Sequence, residues 1–189
     1  MTKPEIILWY LTEGVFTLDA NGRLWRVRSV WNNRFGRGTK AIEPRLADKR
    51  IGSNGYRRTF VTFAGDRFEI ATHRIVVALV TGEVPEDDVV IHHRDSDRQN
   101  NRPSNLEVVT AERNQLYSHW TRLLGAESAS QGEAIADEIR FESEHKTREQ
   151  IAELFDLPVP IVEAVNQERV FPSTIHHMQE HLRIVIRDL

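Results

Sequence analysis

Between residues 89 and 110 the chain reads VVIHHRDSDRQNNRPSNLEVVT, which places adjacent histidines, two aspartates and three asparagines between short β-branched runs. Imidazole, carboxylate and amide groups move protons and hold hard cations. Hydrolysis of a phosphodiester suits that set, because it needs an activated water, charge stabilisation on the phosphate and help for the departing 3′ oxygen. A base and one divalent ion can supply all three. On a strand, His92 and His93 point to opposite faces, so one can face a metal while the other faces an attacking water. Asn105, at the start of the return strand, could reach across to hold the loop and fix the base. Asn114, one helix further on, could set an amide oxygen beside His92 as a second ligand. Asp95, Asp97, Asn100 and Asn101 read as turn formers of a tight polar loop.

These side chains need a hairpin feeding a helix, and the flanking sequence predicts one. Strands are expected near 89–93 and 106–109, then a helix over TAERNQLYSHWTRLL with Thr110 as its N-cap. Upstream, residues 4–13 have helical apolar spacing that ends at Gly14. VFTLDANGRLWRVRSV alternates around Asn21-Gly22, and GYRRTFVTFAGDRFEIA around Ala64-Gly65-Asp66, so two hairpins are expected. Residues 31–54 are polar and basic and read as a loop with one short strand near 43–46. THRIVVALVTG reads as a helix capped by Thr72 and closed by Gly82.

Composition narrows the chemistry further. The chain has no Cys, which excludes thiolate nucleophiles, disulfides and Cys-rich zinc ribbons. Its 189 residues, 40% of them hydrophobic, allow a real core, and no apolar run approaches the ~20 residues of a membrane span. With no cationic signal segment, a cytosolic protein without a membrane partner is expected. The net charge of −3 hides an asymmetry: residues 1–75 carry 14 Lys+Arg against 7 Asp+Glu, and residues 76–189 carry 11 against 21. Residues 21–60 alone hold 11 basic and 2 acidic side chains interleaved with aromatics and glycines. Such a strip suits a polyphosphate partner, and a solvated basic surface would look the same.

The residues that carry the chemistry also carry a resemblance. His93-Arg94-Asp95, Asn100-Asn101, Asn105-Leu106 and the later Asn114 resemble the pattern of the HNH endonucleases, especially the phage and intron-associated homing enzymes. The likeness extends over roughly 15–120, through NGRLWRVRS and GYRRTFVTFAGDRFEIATHRIVVALV. It implies an α+β fold: a small antiparallel sheet with a ββα-metal motif, then an all-helical module resembling a helix-turn-helix. It implies His93 as general base, oriented by Asn105. It implies His92 and Asn114 as holders of one divalent ion, Mg²⁺ first, with Mn²⁺, Co²⁺ or Ni²⁺ also accepted because imidazole is softer than carboxylate. Ser118 and His119 are candidates for a third ligand, and His119 reads equally as a surface residue beside Trp120. Double-stranded DNA is the implied partner, met by Arg26, Arg28, Arg57 and Arg58. The His73-Arg74 pair either touches phosphate or braces the hairpin.

The expected organisation is a nuclease domain over 1–124, with its basic sheet at about 15–70 and its ββα motif at about 88–124, a linker over 125–133 and a helical module over 134–189. In that module TREQIAELFDL and VPIVEAVNQE resemble the small helix-turn-helix units that end many such phage enzymes. Residues 127–168 hold 11 acidic and 3 basic side chains, which DNA would repel, so Asn166, Gln167 and Arg169 either reach bases or the module serves packing or dimerisation. In the tail, His177 and His181 lie at helical spacing, which suits zinc or, more simply, a solvated face. The leading expectation is a monomeric, metal-dependent homing-type endonuclease that nicks one strand of duplex DNA. The alternatives are a non-catalytic DNA-binding regulator on the same scaffold and a phage restriction or packaging nuclease.

Overall fold

The computed structural model describes residues 2–33 and 36–172, and the tail with His177 and His181 lies outside them. The chain's contacts divide it into two units, Met1–Ala111 and Glu112–Leu189. Among the described residues no helix is long and apolar enough to cross a membrane.

The first unit opens with α1 (Lys3–Thr12), started by a capping box in which Thr2 and Glu5 satisfy each other's backbone N–H groups. Its end comes before Gly14, which takes a left-handed φ of 60°. Strands β1 (Phe16–Leu18), β2 (Leu24–Asn33) and β3 (Gly36–Leu46) form one antiparallel sheet, and β4 (Arg50–Ile51), β5 (Arg57–Phe63) and β6 (Asp66–Ala71) form another. Ala64 and Gly65 both have positive φ, 53° and 92°, the twist that a two-residue hairpin turn needs.

The long strand β3 corrects the expectation of a loop over 31–54. Its register with β2 runs from Trp25↔Leu46 to Asn33↔Gly36, with a bulge between Arg26 and Arg28. The ladder satisfies the backbone, and no residue of β3 is fully buried. A ribbon with neither face in a core needs no apolar alternation, so its sequence carries no strand signal.

Helix α2 (Thr72–Thr81) ends at Gly82, as expected, with φ 79°. Thr72 is not its cap. Ala71 holds that position, and the buried Thr72 hydroxyl hydrogen-bonds the Thr59 hydroxyl at 2.9 Å, tying the helix to β5. Ile6, Ile7, Tyr10, Val15, Phe16, Leu24, Val61, Ile70, Ile75 and Ala78 form the core of this unit. Inside it the Tyr10 hydroxyl donates to the Thr62 carbonyl at 2.8 Å and accepts from its N–H at 2.9 Å, so the buried phenol is satisfied. The unit closes with the antiparallel pair β7 (Val90–His93) and β8 (Leu106–Val109).

The second unit contains nearly all of α3 (Ala111–Leu123), then α4 (Ala129–Glu142), α5 (Arg148–Phe155) and α6 (Val159–Asn166). Residues 129–133, expected in a linker, are the first turns of α4, because Ser128 caps them by accepting from the Gln131 N–H. A capping box of Thr147 and Gln150 starts α5, and Asp156, left-handed at φ 51°, ends it before Pro158 opens α6. Ile139, Ile151, Val162 and Val165 are buried in the unit's core, and Tyr117 and Trp120 pack their rings against Phe171. A Cβ on Gly132 would stand 2.4 Å from the Phe171 ring, so only glycine fits there.

Candidate active site

The β7–β8 hairpin pairs His92 with Glu107 and His93 with Leu106. The pleat sends the adjacent imidazoles to opposite faces: His93 is buried, only 5% exposed, and His92 is half-buried. Within the connecting loop, polar side chains bond to one another and to the loop backbone. Asp95 Oδ1 accepts from the Asp97 N–H at 2.9 Å, and Asp97 Oδ1 accepts from the Gln99 N–H at 2.9 Å, giving two successive Asx turns. Asn100 Nδ2 donates to the second Asp95 oxygen at 2.6 Å. Asn105 closes the circuit: its amide donates to Asp95 Oδ1 at 2.8 Å and to the Asn100 carbonyl at 2.9 Å, and its oxygen accepts from the Asp95 N–H at 3.0 Å.

That geometry separates two roles that the sequence assigned to one residue. Asn105 grips the loop, and the side chain that reaches the His93 ring is Asn101, with Oδ1 3.2 Å from Nε2. Asn101 is itself buried, 1% exposed. Sequence reasoning treated it as a turn former like Asn100, and nothing in the Asn-Asn dipeptide tells which of the two points inward. Tyr56, also missed, lies 5.5 Å from the His93 ring and 4.9 Å from His73, and the two imidazoles stand 5.3 Å apart edge to face.

This packing sets the protonation states. Burial lowers the His93 pKa most; the Asn101 hydrogen bond and nearby Asp95 oppose the shift without cancelling it, so the ring is neutral at pH 7. His73 is pushed to about 3, by burial first and then by His93, Arg74 and Arg58. Burial raises the Asp95 carboxyl, but the hydrogen bonds from Asn100, Asn105 and the Asp97 N–H outweigh it and hold the group below its ordinary value.

Neighbouring elements brace the loop from outside. Gly22, in the β1–β2 turn at φ 74°, lies so close that a Cβ would stand 2.3 Å from the Arg102 nitrogen and 2.4 Å from the Asn101 carbonyl carbon. Arg102 donates to Asn21 at 2.9 Å, Arg98 to the Asn54 carbonyl at 2.9 Å and Arg57 to the Gln99 carbonyl at 3.1 Å.

The side chains expected to meet DNA all have partners within the first unit. Arg26 donates to the Phe60 carbonyl at 2.6 Å, Arg28 to Thr39 at 2.9 Å and Arg58 to Asn54 at 3.0 Å. Arg74 spreads its guanidinium over the carbonyls of Pro85, Glu86 and Val89, and His73 lies against Tyr56 and His93. In the second unit Asn114 is half-buried on α3, Ser118 donates to the Asn114 carbonyl at 3.1 Å, and His119 is exposed. Asn166 donates to Ser143 at 2.8 Å, and Gln167 and Arg169 are exposed.

No group of three His, Cys, Asp or Glu side chains among the described residues could hold a metal. Asp95 is engaged by the loop, so the donor set assigned to an ion is one imidazole, His92, and one amide oxygen, Asn114. Both are competent ligands, and so few of them fit an ion that completes its shell with phosphate and water oxygens.

Comparison with known proteins bears on the same stretch. Residues 71–116 match the HNH endonuclease family. The HNH segment thus runs from the start of α2 through both hairpin strands into α3, and it contains His73, Arg74, His92, His93, Asn101, Asn105 and Asn114. The family resemblance read from the sequence is met there. One solved structure similar to the chain is described as "DNA binding and cleavage by the HNH homing endonuclease I-HmuI", at 22% identity and a TM-score of 0.38, over 58% of this chain and 53% of that one. The chain therefore spans about half the length of that protein. No curated protein matches it.

Proposed function

We propose that this chain is a metal-dependent DNA endonuclease of the homing type that nicks one strand of duplex DNA, with His93 as general base. The observation that carries the reading is the buried, neutral His93 ring with Asn101 Oδ1 at its Nε2, inside the segment that matches the HNH family. With Nε2–H donating to Asn101, the lone pair sits on Nδ1. That nitrogen takes a proton from water as the water oxygen bonds to phosphorus and the P–O3′ bond breaks; the departing 3′ oxygen takes a proton from solvent, leaving a 5′ phosphate and a 3′ hydroxyl, and His93 returns its proton to solvent. Asn101 fixes the ring plane and tautomer, and Asn105 fixes the loop that carries Asn101. His92 and Asn114 would hold the divalent ion, which when bound supplies charge stabilisation to the phosphate and the leaving oxygen. The internal bonds of Arg57 and Arg74 support a bracing role for them. Arg28 and Arg58 each keep further N–H donors for phosphate.

The test is cleavage of supercoiled plasmid with Mg²⁺, Mn²⁺, Co²⁺ or Ni²⁺ and with chelator. The expected result is metal-dependent open circle first and linear DNA late. No cleavage with any of these ions would leave a DNA-binding scaffold without activity. Linear product as fast as nicked at low enzyme concentration would require two coordinated sites.

A further inference from the structure

A cleft of about 460 Å³ in the first unit lies away from the histidine hairpin and has no role in the chemistry above. Arg26, Arg45 and Arg67 line it together with Ser29, Phe60 and Thr62, and none of its lining side chains is acidic. One pairing among these arginines is unfavourable without an anion. Arg26 and Arg45 are direct cross-strand partners in the β2–β3 ladder, where like charges repel. Arg67 comes from the other sheet, on β6, and its guanidinium lies 3.9 Å from the centre of the Phe60 ring. Phe60 in turn supplies the carbonyl that holds Arg26 at 2.6 Å. Three cations from two sheets thus line one cleft, Arg67 on the Phe60 ring and Arg26 on the Phe60 carbonyl. Arg26 is anchored, while Arg45 and Arg67 are exposed and have no hydrogen bond or ion pair among the described residues. Thr62, from β5, also lines the cleft with its hydroxyl side chain.

We infer that this cleft is a phosphate-binding site that seats a backbone phosphate of duplex DNA, with Arg45 and Arg67 as its principal contacts and Arg26 as the fixed cation between them. The inference rests on the DNA reading above and adds an anchoring point distinct from the cleavage hairpin. A phosphate oxygen bridging Arg26 and Arg45 relieves their repulsion, and the fork of donors on each guanidinium suits bidentate capture. Contacts of this kind fix register on the duplex without reading sequence.

The experiment uses the full chain carrying His93→Ala, so that substrate is not consumed, and measures binding of a fluorescent duplex by anisotropy from low to moderate salt. Arg45→Gln/Arg67→Gln is compared with Lys3→Gln/Lys49→Gln, which removes the same charge outside the cleft, and thermal melting verifies that both variants fold. The cleft variant is expected to weaken binding to unrelated sequences equally and to make the log–log salt slope shallower by about 0.9 per arginine. Inorganic phosphate at matched ionic strength is expected not to displace the duplex. A slope unchanged in the cleft variant, or lowered equally by the control, overturns the site. Displacement by inorganic phosphate reassigns it to a free anion. If the parent protein does not bind duplex at all, the DNA reading itself fails, an outcome distinct from parent binding with an unaffected variant.

Discussion

The loop between β7 and β8 and the helices of the second unit spend their polar side chains in opposite ways. In the loop, Asp95, Asn100, Asn101 and Asn105 turn inward and bond to one another, to loop backbone and to one imidazole. In the second unit, Thr147 and Ser128 cap helix ends, Arg148 pairs with Glu163 at the surface, and the buried residues among those described are apolar apart from Ser128, with Arg140 donating to the Val165 and Val170 carbonyls. Buried polar networks gain little net stability, since each bond replaces one to water. Their product is a fixed geometry, and the fixed geometry here is that of His93. The charges diverge as well, the first unit carrying 17 Lys+Arg against 14 Asp+Glu and the second 8 against 14.

Substitutions can break this contrast. His93→Ala should lower cleavage about 10²–10⁴-fold and leave duplex affinity nearly intact, because a neutral base adds little to ground-state binding. His145→Ala, on the exposed edge of Phe141 in the second unit, should leave cleavage unchanged. Rates and affinities measured on the same preparations decide the pair. Equal losses would mean that His93 is structural.

Asn101 provides a sharper version. Asn101→Leu keeps the volume and removes the acceptor for His93, and should cost up to about 10²-fold in kcat with KM little changed, the cost of a misplaced reacting group. Asn101→Asp keeps an oxygen at the same position and should recover part of the loss. If both variants fall equally while melting together, Asn101 acts through folding alone.

His73 tests the interior through pH. Its folded-state pKa of about 3 lies below the ordinary 6.5, so between those values the unfolded chain binds a proton that the folded chain refuses. The stability linked to this group is complete above pH 6.5 and is lost as pH falls toward 3. His73→Phe preserves the ring packing against Tyr56 and removes the titration. Denaturant unfolding at pH 7 and pH 4 should show the parent losing on the order of 1–3 kcal/mol more than the variant. Parallel losses would place the acid sensitivity elsewhere.

The smallest effect belongs to the second unit. Thr147→Ala removes one side of the capping box on α5 and should cost about 1 kcal/mol in unfolding experiments without changing cleavage per folded molecule. A fall in cleavage would show that α5 contributes to more than its own unit.

Much of this was legible in the sequence, because it depends on local rules. Adjacent residues on a strand must face opposite ways, so His92 and His93 separate without any knowledge of the fold. Gly14, Asn21-Gly22, Ala64-Gly65 and Gly82 mark ends and turns because few other residues accept those backbone angles. The HNH pattern was legible because its members lie close along the chain.

Other features were settled by tertiary structure alone, where residues distant in sequence compete for the same partner. Asn101 rather than Asn105 faces His93, since Asn105 is occupied by Asp95 and the Asn100 carbonyl. Gly22 sits against a loop some eighty residues further on, a proximity that no local signal encodes. For Arg74 the sequence left phosphate contact and bracing both open, and its guanidinium lies on carbonyls of the 85–89 segment. Strand β3 forms from a polar run because its ladder partner β2 supplies the hydrogen bonds that its composition does not announce. Residue types fixed which chemistry was available, and the competition among buried donors and acceptors, each needing a partner, decided which copy of each type performs it.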